Sequence, residues 1–159
     1  MNGLSVIVKT VTRWVAGFIF LYGLYIMAYG HLTPGGGFAG GVILACAFVL
    51  WLMAYGRKGS EQLLPYRAAA NLDSVGALAF WALAILGLAA GGEFFLNVIQ
   101  QRSPGQALHL FSAGIIPLCN IAIALKVCAS LVVVTLLLAV LRVAVNGTDE
   151  QFKSEEAES

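Results

Sequence analysis

The chain has 159 residues, 60% of them hydrophobic and 11% charged, with a formal net charge of +1, and its mean hydropathy is +0.87. A soluble core of this size needs far more polar surface, so composition assigns the chain to the polytopic membrane proteins. The near-zero charge argues against nucleic acid as a partner. The three cysteines (Cys46, Cys119, Cys128) are odd in number and scattered through apolar runs without a CxxC or Cys/His cluster, which argues against disulfides and a metal site; they read as small buried apolar residues.

Hydropathy predicts an all-α membrane protein with four transmembrane spans, each near the roughly 20 residues that a hydrocarbon core of about 30 Å requires. The first covers about 11–29, with Trp14 and Tyr29 near its ends as interfacial aromatics. Lys9 and Arg13 precede it as in a signal peptide, but no small-residue cleavage site follows, so cleavage is not expected. The run His31-Leu32-Thr33-Pro34-Gly35-Gly36-Gly37-Phe38-Ala39-Gly40-Gly41 comes next. Proline fixes φ and removes a donor, and glycine accepts positive φ and close approach, so a Gly-rich turn is expected between helices 1 and 2. In lipid, such backbone is tolerated only at the interface or under a cover of protein or water.

The second span covers about 38–55 and ends at Trp51 and Tyr55. A polar loop with Arg57, Lys58, Glu61 and Arg67 leads to Asn71-Leu72-Asp73-Ser74, read as the N-cap of a third span over about 74–91. The next loop carries Glu93, Arg102, His109 and a Ser103-Pro104-Gly105 turn signal. The fourth span covers about 115–145, so the transmembrane domain is 1–147, and 148–159 is an acidic tail whose composition predicts disorder on the cytoplasmic side.

Gly36/Gly40 and Gly37/Gly41 give two overlapping GxxxG spacings, which favour close helix packing. Lys126 is the one charged residue firmly inside a predicted span. At the bilayer centre a lysine costs roughly 2.5–3.5 kcal/mol on insertion scales. It is read either as an ammonium on an ion path or paired with a carboxylate of another chain, or as a lysine that snorkels to the outer surface. Glu93, Asp73 and Glu61 all fall near span ends or in loops, so the expected counter-charge comes from a partner chain. Ala122, Ala129 and Ser130 share the face of Lys126 and form a small-residue stripe suited to a helix contact. His31, at the turn, is either a proton relay or a wet interfacial histidine. Asn120, in the fourth span, reads as an interhelical hydrogen-bonding group. With no nucleophile–base pair, phosphate loop or HExxH, the chain is not expected to be an enzyme or to hold a cofactor of its own.

Two stretches resemble a known family. Tyr29 to Gly41, through the His-Leu-Thr-Pro-Gly-Gly-Gly-Phe core, is similar to the signature of the MrpB/MnhB-type subunits of multi-subunit sodium/proton antiporters, and Ala113 to Val127 resembles that family's last helix. Related proteins occur in ion-pumping hydrogenases and sulfur-reducing complexes. The resemblance implies a component of the cell membrane packed beside larger proton-translocating subunits, with Na+ and H+ as the transported ions. It also places His31, Pro34, Phe38 and Lys126 on the cation route, while Gly35, Gly36, Gly37, Gly40, Gly41 and Asn120 serve the turn and helix packing. A purely structural role in a redox-driven pump is the alternative.

Counting Lys and Arg orients the chain: seven (Lys9, Arg13, Arg57, Lys58, Arg67, Arg142, Lys153) fall on the side of the termini and one (Arg102) on the other. The positive-inside rule then places both termini in the cytoplasm. An epitope at the carboxyl end is expected to react with an impermeant probe only in inside-out vesicles; reaction in right-side-out vesicles would reverse the topology.

Overall fold

The computed structural model describes residues 5–32, 34–102 and 113–158. Thr33, the Ser103-Pro104-Gly105 turn and His109 lie outside the described residues. Helices α1 (Val6–Ala28), α2 (Gly36–Leu63), α3 (Tyr66–Gly91), α4 (Val98–Arg102) and α5 (Ile116–Glu158) follow one another. Four of them contain stretches long and apolar enough to cross a membrane: Val6–Ala28, Gly36–Gly56, Tyr66–Ala90 and Ile116–Leu141.

Four boundaries differ from the hydropathy reading, the first being α1, which begins at Val6 rather than near Val11. Helix α3 begins at Tyr66 rather than Ser74, so Asn71-Leu72-Asp73-Ser74 is helix interior and Pro65 (φ −66°) is the cap. The reason is local: proline presets the helical φ at a helix start, and the Ala68-Ala69-Ala70 run is strongly helix-forming. Arg67, Asn71 and Asp73 lower the windowed hydropathy without breaking the helix. Helix α2 runs past its membrane stretch through a break at Gly56 (φ 72°, ψ −179°), a conformation open to glycine, and continues to Leu63. Fully buried Ser60 donates to the Gly56 carbonyl at 2.9 Å across this break. Helix α5 carries on through 148–158, the segment expected to be disordered. Its Glu, Gln, Lys and Ala residues are poor core formers but good helix formers, and they extend a helix already nucleated.

Packing follows small residues. Helices α1 and α2 are antiparallel: Gly40 lies against Met27 and Gly23 against Leu44, and the Tyr55 hydroxyl donates to the Lys9 carbonyl at 3.1 Å. Helices α2 and α5 run parallel, with Gly37 on Asn120, Gly41 on Ala124, and Phe48 in a buried cluster with Val132 and Leu136. Helix α3 is antiparallel to α5, with Gly76 seated on Ala122 and Lys126. Ala69 of α3 joins the Phe48 cluster, which ties α2, α3 and α5 together at one end. The two GxxxG spacings therefore serve different neighbours. Gly37 and Gly41 face α5, and Gly40 faces α1, so α2 is held on two sides.

The described part of the connection from α3 to α5, residues 92–102 and 113–115, is held by hydrogen bonds. It folds back with the Phe95 amide on the Ala84 carbonyl at 3.4 Å. Asn97 then stitches it to the start of α5: its Nδ2 donates to the Ala113 carbonyl at 2.9 Å, and its Oδ1 accepts from the Ile115 amide at 3.1 Å.

A Cβ at Gly41 would stand 2.7 Å from the Ala124 carbonyl oxygen, whereas one at Gly17 meets nothing within 4 Å. Gly41→Ala is expected to destabilise the detergent-purified protein by about 1–3 kcal/mol, the usual cost of overpacking, and Gly17→Ala to be neutral or stabilising. Thermal unfolding of the two variants side by side checks this; equal melting curves would refute the seam.

Candidate functional site at the α2–α5–α3 groove

The glycine turn sets the site's frame. Gly35 (φ 155°) and Gly36 (φ 66°) hold backbone angles that side chains disfavour and turn the chain from α1 into α2. A Cβ at Gly37 would overlap the Asn120 carbonyl. With none there, the Gly37 amide donates to Asn120 Oδ1 at 3.3 Å. Buried Asn120 thus ties α5 to α2 through this hydrogen bond and sets the level of one helix against the other.

Lys126 lies ten residues past Ile116, the first residue of α5. At 1.5 Å per residue this is about 15 Å, close to the middle of a core of about 30 Å. It does not wait for a partner chain: Nζ donates to Asp73 Oδ1 of α3 at 2.8 Å. The Ser130 hydroxyl, one turn further along α5, donates to the same carboxylate oxygen. The expectation of an external counter-charge is corrected here. The hydropathy boundary had left Asp73 ahead of the third span, whereas the early start of α3 places it within the long apolar stretch Tyr66–Ala90. Gly76, one turn from Asp73, permits the approach, because a Cβ there would stand 2.8 Å from the Lys126 amide nitrogen. Within the Ala122–Ala129–Ser130 stripe, Ala122 lies against Gly76 of α3 and Ser130 bonds Asp73, and Ala122 and Ala129 are both buried.

The pair is not sealed. The side chains of Lys126 and Asp73 keep 45% and 32% of their surface exposed. Toward the glycine-turn end, α2 and α3 each pack on α5 and leave a groove of about 620 Å³ between them. Phe38 and Val42 form one wall, Gly76, Ala77 and Phe80 the other, and α5 the floor, where Lys126 and Ser130 are the polar side chains. Of the four residues placed on a cation route, the structure brings Phe38 and Lys126 to this groove. Half-buried His31 and exposed Pro34 stay in the turn and do not line it.

The cysteines depart from their expected burial: Cys46 is exposed, and Cys119 and Cys128 are partly buried; all three are free. Sequence reasoning missed Asp73, Gly76 and Asn97. The Leu64-Pro65-Tyr66 start signal ahead of an alanine run was the available clue to the first two, and Asn97 gave no signal beyond being polar in a loop.

The chain is similar to several known proteins. A family model described as a domain related to the MnhB subunit of Na+/H+ antiporter matches residues 7–133. An uncharacterized protein of Methanocaldococcus jannaschii is 35% identical over 138 residues, which make up 84% of this chain and 51% of that protein. A Na+/H+ antiporter subunit of Bacillus subtilis is 43% identical over 61 residues, 38% of this chain and 43% of the relative. Among solved structures, a chain of the membrane-bound sulfane sulfur reductase, an archaeal respiratory membrane complex, superposes with a TM-score of 0.71 at 31% identity, covering 84% of this chain and 60% of that one. The chain spans about half the length of the relatives it matches.

Removing one partner of an ion pair strands the other charge, whereas removing both leaves none. Lys126→Met and Asp73→Asn are each expected to lower stability, and the double variant to lose less than their sum, with a coupling of about 0.5–3 kcal/mol. A double-mutant cycle on thermal unfolding measures it, and strict additivity would deny the pair any energetic role.

Proposed function

From the premise that the chain belongs to the MnhB family of Na+/H+ antiporter-related subunits, we propose that it is a non-catalytic membrane subunit of a multi-subunit cation/proton-translocating complex, lining part of the ion pathway. The observation that carries this reading is the Lys126–Asp73–Ser130 cluster beside a groove, with Lys126 ten residues into the apolar stretch Ile116–Leu141. An ionisable pair in that position is costly and marks an ion or proton route by default. Phe38, 65% exposed at the groove wall, is the residue that would narrow it. His31 and Pro34, at the turn, would serve its outer entrance. The Gly35–Gly37 turn, Gly40, Gly41 and Asn120 would keep these groups in register.

On this reading the chain sits in the cell membrane with both termini cytoplasmic, beside larger subunits, and the complex moves Na+ against H+. The likeness to a chain of an archaeal respiratory membrane complex favours a second reading for the assembly, in which a redox module supplies the energy. Gentle purification by a carboxyl-terminal tag, with mass spectrometry of what accompanies the chain, separates the two: antiporter subunits alone mean secondary exchange, and iron–sulfur subunits mean a redox-driven pump.

The pathway role is tested by complementation. Lys126→Ala is expected to leave the complex assembled and to lower transport about tenfold or more, the effect of ~1.4 kcal/mol on a rate. Normal transport by an assembled Lys126→Ala complex would remove that residue from the pathway.

A further inference from the structure

The carboxylate of Asp73 is served by two donors on one oxygen. Lys126 Nζ reaches Oδ1 at 2.8 Å, and the Ser130 hydroxyl donates to the same atom. An ammonium is a compact single charge on a flexible stem, close in chemistry to a free monovalent cation. Its side chain is 45% exposed and lines the groove, so it has room to leave. Ser130 has lone pairs to turn toward a cation once the lysine is gone, since a hydroxyl both donates and accepts. The remaining groove walls are carbon, from Phe38, Val42, Phe80 and Val127. Asp73 stands behind this lining, so a cation in the groove meets its carboxylate only past Lys126 and Ser130, the polar side chains on the floor.

We infer that Asp73 and Ser130 form a monovalent-cation subsite, and that Lys126 is its tethered occupant, holding the carboxylate until a free cation takes its place. The inference rests on the pathway reading above and adds the identity of the binding group. In the exchange the Asp73 carboxylate stays neutralised, the entering cation adds one positive charge that the displaced ammonium carries, and neither a proton nor an electron is consumed. The lysine then acts as a built-in competitor that weakens cation binding and hastens release. Apparent affinity falls in proportion to the fraction of time the site is free. Among the described residues, the membrane stretches hold no second carboxylate, so the displaced ammonium is to be met by an acceptor of a neighbouring subunit.

The experiment is sodium-dependent transport by the intact complex in proteoliposomes, with sodium varied at constant ionic strength. Lys126→Gln is expected to lower the half-saturating sodium concentration about threefold to tenfold, because the site is then free all the time, and to lower the maximal rate because release slows. Ser130→Ala keeps the ion pair, which guards against misassembly of the lysine variant, and is expected to raise half-saturating sodium about threefold through loss of one ligand oxygen. Asp73→Asn is expected to abolish saturable transport. If half-saturating sodium stays at the wild-type value in both Lys126→Gln and Ser130→Ala while the maximal rate falls in Lys126→Gln, the competition is overturned and the pathway reading stands. Wild-type transport by both Asp73→Asn and Lys126→Gln would overturn the pathway reading as well.

Discussion

A charged ammonium about 15 Å into an apolar helix must be met by an opposite charge or by water, and the arrangement of this chain follows from how Lys126 is met. Asp73 can reach it only if α3 begins well before its most hydrophobic stretch and lies antiparallel on α5. That approach in turn needs Gly76 where the two backbones touch, with the small Ala122 opposite. Ser130 adds a second donor on the same oxygen. The result is a local balance of charge: the site is neutral within one chain and needs no carboxylate from elsewhere to rest in the membrane.

The glycine edge of α2 solves a different problem. Helices in lipid gain nothing from burying apolar surface against one another and associate through close packing and hydrogen bonds. Gly37 and Gly41 let α2 run parallel and close to α5, and Gly40 does the same toward α1. Because α2 is committed on both sides, α3 has only α5 left to pack on over most of its length. The groove between α2 and α3 is the space this division leaves, closed at one end by Phe48, Ala69, Val132 and Leu136. The turn, the seam and the groove are thus consequences of where a few side chains are absent.

For a member of the MnhB family, this geometry suits a supporting part in ion movement. It offers one polar cluster beside an otherwise apolar groove. On the proposed reading, the chain supplies a cation stop beside larger subunits.

Much of this architecture is legible from the residues alone. Four spans, a glycine turn and an unusual lysine follow from composition and spacing, because a 30 Å core sets helix length and burial cost acts residue by residue. The small-residue stripe around Lys126 and the hydrogen-bonding role of Asn120 were legible for the same reason, since helix periodicity fixes which residues share a face. What touches that face is not a local property. Asp73 looked like a cap because a hydropathy window averages charge with its neighbours, and only the packing of α3 on α5 brought it to Lys126. His31 and Pro34 stand beside Phe38 in sequence, yet the turn keeps them out of the groove that Phe38 lines. Periodicity, span length and burial cost are properties of a residue and its near neighbours, and sequence by itself determined them; the partner of Lys126 and the path of the groove depend on contacts between residues more than 50 positions apart, and only the tertiary structure decided them.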